Sequence, residues 1–382
     1  MLKEPIYIQS CNSISALGRD KEEIWKNYLT KNHLFTKLSS SHFNRFVSKI
    51  DEDDNEFLLQ IRSSDSKYKH IDRSVLMALY VSRRAFLEAK NTDLNMGINF
   101  GSSRGATELF EKYFEEFRNT QQVSTFTSPA TTLGNIASWV AHDLQLHGPE
   151  ISHSITCSTG LHAVLNGIAW LQAGFSQSFL VGASEAPLTP FTLAQLAALK
   201  VYSNYEDDFP NKALDISKKY NSMILGEAAV ALVLSKQGDN ALGKIIGIGF
   251  ATEILSSGTS ISADALCFQK SMKMAIGELE PSSVDAIIMH APGTIQGDLT
   301  EFHAIQKLFG KNIPLLTSNK WKVGHTFATS GLLSMELALL MLEKQHFISS
   351  PFYPQNSEKP LKRILVNAVG FGGNAVSILI ER

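Results

Sequence analysis

The chain has 382 residues, 44% of them hydrophobic, which is enough for a large buried core. Its 35 basic and 37 acidic residues nearly cancel, which excludes the strongly basic surface of a general nucleic-acid binder. Three cysteines without a CxxC pair or a Cys/His cluster argue against disulfides and metal, and favour a reducing compartment. Because neither a signal peptide nor a membrane-spanning apolar run is visible, we expect a cytoplasmic protein.

Short β-branched runs alternate with longer helical patterns along the chain, which predicts an α/β fold. The predicted strands are Ile6–Gln9, Met96–Gly101, Ile151–Thr156, Ser178–Gly182, Ala228–Leu234, Ile245–Ala251, Asp285–Met289, Leu315–Ser318, Arg363–Val369 and Ala375–Ile380. The predicted helices are Lys21–Leu29, Arg73–Ala89, Ala106–Phe117, Thr131–Leu146, Ser158–Ala173, Ala263–Glu278, Leu299–Phe309 and His325–Glu343. Several strands are apolar at consecutive positions, which is typical of a sheet buried on both faces.

The order of elements repeats and predicts two similar halves. The polar stretch Lys236–Asn240 is the predicted joint, and Ile245 opens the second series of strands and helices. We therefore expect one domain over residues 1–238 and a second over residues 239–382. Two polar stretches that contain proline are predicted to be surface excursions: Ser203–Asn221 and Ser349–Lys362.

Cys157 is the most informative residue. It lies between the β-prone run Ile151–Thr156 and the helical pattern Leu161–Ala173. A thiol at the first turn of a buried helix faces free backbone N–H groups and the positive end of the helix dipole. Both favour the thiolate, the form that attacks carbonyl carbon. A buried structural cysteine is the alternative, and the motifs downstream favour the nucleophile.

The first downstream motif is His290-Ala-Pro-Gly-Thr294, which follows the apolar run Ala286–Met289. Open α/β sheets bind their ligands at such strand ends. Asp298 and Glu301 fall at the start of the next predicted helix, where carboxylates interact favourably with the dipole. Capping is a complete alternative explanation for Asp298, and a hydrogen-bonded loop histidine is the alternative for His290.

The second motif, which contains Lys320 and Gly324-His325, follows the strand Leu315–Ser318 and precedes a long apolar helix. We expect His325 to open that helix. The dipole there disfavours an imidazolium and leaves a neutral ring that can donate a hydrogen bond. A solvated loop lysine is the alternative for Lys320.

Two glycine-bearing segments complete the candidates. In Gly370-Phe-Gly-Gly-Asn374 the glycines can bring backbone N–H groups close to a ligand, and a plain hairpin is the alternative. The segment Gly101-Ser-Ser103-Arg-Gly105 matches the G-x-S-x-G pattern of hydrolases, with Ser103 as nucleophile. A plain strand-to-helix turn explains this short pattern better, because no oxyanion loop stands out.

Four motifs, in their order and at their separations, resemble those of the β-ketoacyl-acyl carrier protein synthases of the Cys-His-His type. They are the segments that contain Cys157, His290, Lys320 with His325, and Gly370–Asn374. Synthases of this type are thiolase-fold condensing enzymes. The resemblance implies two similar α/β halves that form a layered α-β-α-β-α core. Weaker similarities extend it over nearly the whole chain: Ile6–Leu29, 128–137 and 226–229.

The resemblance implies a two-step condensation. Cys157 would take an acyl group from a carrier-protein thioester, and malonyl-carrier would then lose carbon dioxide to give an enolate that attacks the acyl-cysteine. The backbone N–H groups of Cys157 and Phe371 would hold the tetrahedral oxyanion. Neutral His290 and His325 would donate to the enolate oxygen from Nε2.

The same resemblance implies supporting residues. Lys320, with Glu301 as its partner, would position the loop of the first histidine. Thr294 would hydrogen-bond the phosphopantetheine arm. Phe371 would gate the acyl pocket, with Gly372 beside it as a substrate-binding residue.

The implied partner is an acyl carrier protein, and the implied assembly is a homodimer, with a heterodimer containing a chain-length-factor-like subunit as the alternative. No cofactor or metal is implied. Departures from the family pattern, such as Pro292 in place of a threonine, Ser158 after the nucleophile and Phe327 after the second histidine, point to a specialised pathway such as aryl polyene synthesis. Two other functions stay open. A chain-length-factor-like subunit would usually lack the nucleophile, and a cysteine or serine hydrolase would release free acid without consuming malonyl groups.

Overall fold

A computed structural model describes residues 2–39, 43–90, 93–133, 135–254 and 261–382. Their strands are β1 Ile6–Ile14, β2 Thr36–Ser39, β3 Asn44–Val47, β4 Gly97–Gly101, β5 Glu150–His153, β6 Ser178–Glu185, β7 Ala228–Ser235, β8 Gly243–Thr252, β9 Ala286–Ile288, β10 Leu315–Thr317, β11 Arg363–Gly370 and β12 Asn374–Glu381. Their helices are α1 Lys21–Leu29, α2 Glu52–Ser64, α3 Arg73–Glu88, α4 Thr107–Thr120, α5 Thr127–Thr131, α6 Asn135–Leu144, α7 Thr159–Gln172, α8 Pro190–Ala198, α9 Leu266–Ile276, α10 Ile295–Phe309, α11 Lys320–Val323 and α12 Ser330–Lys344.

Ten strands form one mixed sheet in the order β10-β9-β11-β12-β8-β1-β7-β6-β4-β5, and β2 pairs with β3 in a separate hairpin. The left and right halves of this sheet have the same internal order, since β1-β7-β6-β4-β5 is matched strand for strand by β8-β12-β11-β9-β10. The pairing directions match as well. In the first half, β1 is antiparallel to β7, β7 is antiparallel to β6, and β4 is parallel to both β5 and β6. In the second half, β8 is likewise antiparallel to β12, β12 is antiparallel to β11, and β9 is parallel to both β10 and β11.

The two halves stack as layers around two buried helices. Helices α7 and α12 pack against each other and against strands from both halves. Helices α3 and α6 cover the outer face of the first half, and α9 and α10 cover the outer face of the second. The predicted α-β-α-β-α layering of an α/β protein is therefore confirmed.

Strand β7 shows why consecutive positions are apolar. Ala228, Val230 and Leu232 face the central helices, whereas Ala229 and Ala231 face α3. Successive residues of a strand point to opposite faces of the sheet. A sheet covered on both faces therefore needs apolar residues at odd and even positions alike.

All ten predicted strands are present, and the structure adds the β2–β3 hairpin. The helix predicted to begin at His325 begins at Ser330 instead, after a 3₁₀ turn over Phe327–Thr329. The helices α2, α5, α8 and α11 were not predicted. The division into domains at residues 238 and 239 falls in the connection between β7 and β8, and it stays a prediction.

None of the helices in the described ranges is both long and apolar enough to cross a membrane.

Candidate active site

Five predicted site residues line one cavity of about 230 Å³: Cys157, His290, Thr294, His325 and Phe371. They come from separate segments that follow β5, β9, β10 and β11. Strands β9, β10 and β11 are parallel neighbours, so their carboxyl ends meet at one edge of the second half. Strand β5 belongs to the first half, and the packing of the two halves through α7 and α12 brings Cys157 to the same cavity. The topology thereby gathers residues that are up to 214 positions apart in the chain, the separation of Cys157 and Phe371.

Cys157 lies in the turn between β5 and α7, two residues before the helix begins. The residue before it, Thr156, has a left-handed φ of +46°, which is uncommon for a threonine. A Cβ added to Gly370 would lie 2.1 Å from the Thr156 hydroxyl, so only glycine lets the β11–β12 hairpin approach this turn. The hairpin therefore brings Phe371 to the same cavity as the thiol.

The protonation state of Cys157 differs from the prediction. Burial raises the pKa of this thiol to about 12, and the carboxylate of Glu185 also raises it, while Lys320 and the local backbone N–H lower it. Only 5% of the residue is exposed. The cost of removing a thiolate from water exceeds the stabilisation by the helix start, so Cys157 is a thiol at rest.

His325 is held in a defined tautomer. Its Nδ1 accepts a hydrogen bond of 3.1 Å from the backbone N–H of Phe327 and lies 3.1 Å from the hydroxyl of Ser330. Because Nδ1 accepts, the proton of the neutral ring is on Nε2. Burial lowers the pKa of His325 to about 3, with the charge of Lys320 as a second cause. The ring is therefore a neutral Nε2–H donor, kept neutral by burial and not by the helix start that the sequence suggested.

His290 faces His325, with the ring centroids 5.3 Å apart and the planes at 85°. Burial, Lys320 and His325 hold its pKa well below the usual range, so this imidazole is neutral too. Its Nδ1 is buried without a hydrogen-bond partner among the described residues.

Glu301 fixes the turn that carries His290. Its two carboxylate oxygens accept the backbone N–H groups of His290 at 3.0 Å and of Ala291 at 2.9 Å, and Asn367 donates a third bond at 3.1 Å. Ala291 has a positive φ of +26°, so the turn is strained and needs this support. Glu301 positions the histidine through its backbone.

Lys320 is buried behind the cavity, with 1% of the residue exposed. No ion pair within 4.0 Å joins the described side chains of Lys320 and Glu301, and their partnership in positioning the His290 loop stays a prediction. Burial lowers the pKa of Lys320 to about 8, while Glu301 and Asp298 act in the opposite direction. Its visible effect is electrostatic, since its charge lowers the pKa of both imidazoles.

Asp298 does more than cap a helix. One oxygen accepts the N–H of Gly293 at 2.9 Å, and the other accepts the N–H of Leu214 and the ammonium of Lys218, at 2.9 and 2.7 Å. The Lys218–Asp298 ion pair is fully buried. The prediction that 203–221 is a surface excursion is therefore wrong for its centre, which packs against the His290 loop.

Thr294 and Gly372 occupy different surroundings. The hydroxyl oxygen of Thr294 caps α10 by accepting the N–H of Gly297 at 3.1 Å, and its own proton is still available to a ligand. Gly372 lies in the hairpin turn with a φ of +92°, outside the residues that line the cavity.

Besides Lys218, three supporting residues were missed by sequence reasoning. Lys322 donates to the carbonyls of Asn27 and Thr30, at 2.5 and 2.6 Å, and so joins the Lys320 segment to the end of α1. Glu185 accepts the N–H groups of Ser103 and Ala328. The third, Arg104, lies beside the ring of Phe327. Each acts through a distant contact, for which the local sequence carries no signal.

Ser103 supports the turn that carries Cys157. Its hydroxyl donates to the carbonyl of Thr156 at 2.6 Å, directly before Cys157. It does not line the cavity, which agrees with a strand-to-helix turn and not with a hydrolase nucleophile. Among the residues described, no group of three or more His, Cys, Asp or Glu side chains is placed to hold a metal ion.

Comparisons with known proteins agree with this geometry. The family model "Beta-ketoacyl synthase, N-terminal domain" matches residues 3–240, and "Beta-ketoacyl synthase, C-terminal domain" matches residues 244–351. A 3-oxoacyl-[acyl-carrier-protein] synthase 2 of Coxiella burnetii is 24% identical over 100% of this chain and 99% of its own. The corresponding protein of Staphylococcus aureus (strain COL) is 23% identical over 99% and 98%.

Solved structures share the fold. A β-ketoacyl synthase from Burkholderia phymatum has a TM-score of 0.86 at 20% identity, covering 99% of both chains. The ishigamide ketosynthase/chain length factor has a TM-score of 0.85 at 17% identity, covering 100% of this chain and 99% of its own. A type II PKS acyl-carrier protein in complex with its ketosynthase bound to the hexaketide scores 0.86 at 18%, covering 99% of both. The chain therefore belongs to the β-ketoacyl synthase family, the condensing acyltransferases of fatty acid and polyketide synthesis.

Proposed function

We propose that Cys157 carries the acyl group of a decarboxylative Claisen condensation with a malonyl-carrier protein. The observation that carries the proposal is the single cavity lined by Cys157, His290 and His325. A thiol and two neutral imidazoles match what the reaction needs, namely one nucleophile and hydrogen-bond donors for a developing enolate.

In the first half-reaction the sulfur of Cys157 bonds to the thioester carbon, and the bond from that carbon to the pantetheine sulfur breaks. The proton of Cys157 ends on the departing pantetheine sulfur. The backbone N–H groups of Cys157 and Phe371, at the wall of the cavity, are the donors proposed for the tetrahedral oxyanion.

In the second half-reaction the bond from malonyl to its carboxylate breaks, and the electron pair passes into an enolate as carbon dioxide leaves. The Nε2–H of His325 is fixed as a donor for the enolate oxygen, and His290 lies beside it. The enolate carbon then bonds to the acyl carbon, the bond to Cys157 breaks, and the thiolate takes a proton from water. An imidazolium would be a stronger acid and would neutralise the enolate by protonating it. A neutral imidazole donates a hydrogen bond to the enolate oxygen and leaves the enolate able to react.

We also propose the partner protein and the residues that contact its phosphopantetheine arm. An acyl carrier protein is the expected donor, and Thr294, which lines the cavity, would hydrogen-bond its phosphopantetheine arm. Pro292, also in the wall, offers neither a hydroxyl nor an N–H to that arm. A homodimer, a cytoplasmic location and a specialised pathway such as aryl polyene synthesis stay predictions. The presence of Cys157 in the cavity favours an enzyme over a chain-length-factor-like subunit.

Cys157→Ala should abolish acyl loading, because no other described cysteine lines the cavity. Cys11→Ala and Cys267→Ala are matched controls and should load normally. The measurement is intact mass after incubation with a panel of acyl-carrier thioesters. Acylation that persists in Cys157→Ala would contradict the assignment, and release of free acid without malonyl consumption would indicate a hydrolase.

His290→Ala and His325→Ala should each lower decarboxylation and condensation by about 100-fold or more, because each removes a hydrogen-bond donor to the enolate. Acyl loading of Cys157 should continue in both variants. Release of labelled carbon dioxide and single-turnover loading separate the two half-reactions. Near wild-type condensation in both variants would show that the imidazoles do not hold the enolate.

The alkylation rate of Cys157 should keep increasing with pH, by about tenfold per unit, from about pH 6 to about pH 10. The reason is that its pKa is raised to about 12, so the reactive thiolate is a small fraction throughout this range. Iodoacetamide labelling located by mass spectrometry measures the rate, and Cys157→Ala gives the background. A plateau below about pH 8 would show the thiolate that the helix start alone predicts.

A further inference from the structure

We propose that Arg104 selects acyl groups that carry an oxygen hydrogen-bond acceptor at their far end. This inference rests on the proposed function, and it names the substrate class of the same site. It concerns the Gly101–Gly105 segment, which fits the hydrolase pattern but holds no hydrolase nucleophile.

The cavity has two chemically different ends. Thr294, Gln296 and Gly297 form the end assigned to the pantetheine arm. At the other end, Leu196, Met223 and Phe327 line the cavity and belong with Cys157 to one apolar cluster. An acyl group on Cys157 therefore extends toward the apolar end.

Arg104 lies directly behind that end. Its guanidinium carbon is 5.9 Å from the ring centroid of Phe327, and its Nη2 bonds the side chains of Gln195 and Thr192 on α8. The next residue of α8, Leu196, is part of the cavity wall. The guanidinium is thus one side chain away from the space that the acyl group enters.

The charge of Arg104 is not neutralised locally. In the described part of the chain no carboxylate lies within 4.0 Å of it, although most arginines near the first-half helices have such a partner. The positive charge is near enough to Cys157 to lower the pKa of the thiol. A half-buried guanidinium has five N–H donors, and the bonds to α8 occupy one nitrogen.

A plain alkyl chain packed against this guanidinium would remove water from the charge without providing a hydrogen-bond acceptor in its place. An acyl group with a carbonyl, hydroxyl or carboxylate oxygen at its far end would instead accept a charge-assisted hydrogen bond. The apolar stretch between Cys157 and Arg104 requires that the oxygen be separated from the thioester by several carbons.

Phe327 is the part of the wall that must turn aside for this contact. It has a left-handed φ of +45°, a conformation that a bulky residue adopts only under constraint. Its N–H is bonded to His325, so the backbone is held while the ring is the movable part.

The test compares loading of Cys157 from carrier thioesters of octanoate, 5-oxooctanoate and 7-oxooctanoate, as kcat/KM from intact mass. Wild type should favour at least one oxo-octanoyl group over octanoyl by about tenfold or more, the usual effect of a hydrogen bond to a charged group. Arg104→Leu should bring this ratio close to one, and Arg104→Lys should keep part of it. Arg118→Leu, at an exposed arginine in the last turn of α4, should leave the ratio unchanged.

A loss of folding would change loading of all three thioesters together, whereas the inference requires a change in their ratio. If Arg104→Leu does not fold, Arg104→Gln takes its place, with the same expected ratio. An unchanged preference in the folded variant, or a wild-type preference for octanoyl, would overturn the role of Arg104 while leaving Cys157 as nucleophile. No loading from any thioester would contradict the proposed function, and the inference would fall with it.

Discussion

Exclusion of water around Cys157, His290 and His325 is the constraint on which the rest of the site depends. All three side chains are at most 5% exposed, and in each case burial is the largest cause of the pKa shift. A buried site favours the uncharged form of every group, so the resting site holds a thiol and two neutral imidazoles. Lys320, buried with them, adds a positive charge that works against imidazolium formation in either ring.

The scaffold meets this constraint with strained turns that hydrogen bonds fix in place. A non-glycine residue of positive φ lies within two positions of each site residue: Thr156, Ala291 and Phe327. Each of these three turns has its own restraint, since Ser103 donates to the Thr156 carbonyl, Glu301 accepts from Ala291, and His325 accepts from Phe327. Strain of this kind persists only where the surroundings fix it, and it serves here to aim three side chains into one cavity.

The sequence predicted the elements whose signal is local. All ten main-sheet strands were found because apolar runs bounded by turn residues mark them, and the candidate residues fell at strand ends that the topology then brought together. The start of α12 was misplaced because no glycine or proline between His325 and Ser330 marks a break, while the actual path of this segment is set by the N–H of Phe327 bonding His325.

The remaining errors concern effects that depend on distant residues. The pKa of Cys157 was assigned the wrong direction because the helix start is visible in the sequence, whereas the depth of burial and the position of Glu185 are not. The roles of Lys218 and Lys322 were invisible for the same reason, since their partners are 80 and 292 or more residues away along the chain. Burial depth is a property of the assembled layers, and no local pattern reports it.

Nitrogen-15 NMR of the histidine-labelled protein tests the central claim most directly, with His325→Gln and His290→Gln used to assign the two signals. The account predicts that His325 stays neutral, with the proton on Nε2, from about pH 8 down to about pH 5, because its pKa is lowered to about 3. Protonation of His325 within this range, or a neutral ring with its proton on Nδ1, would contradict the account.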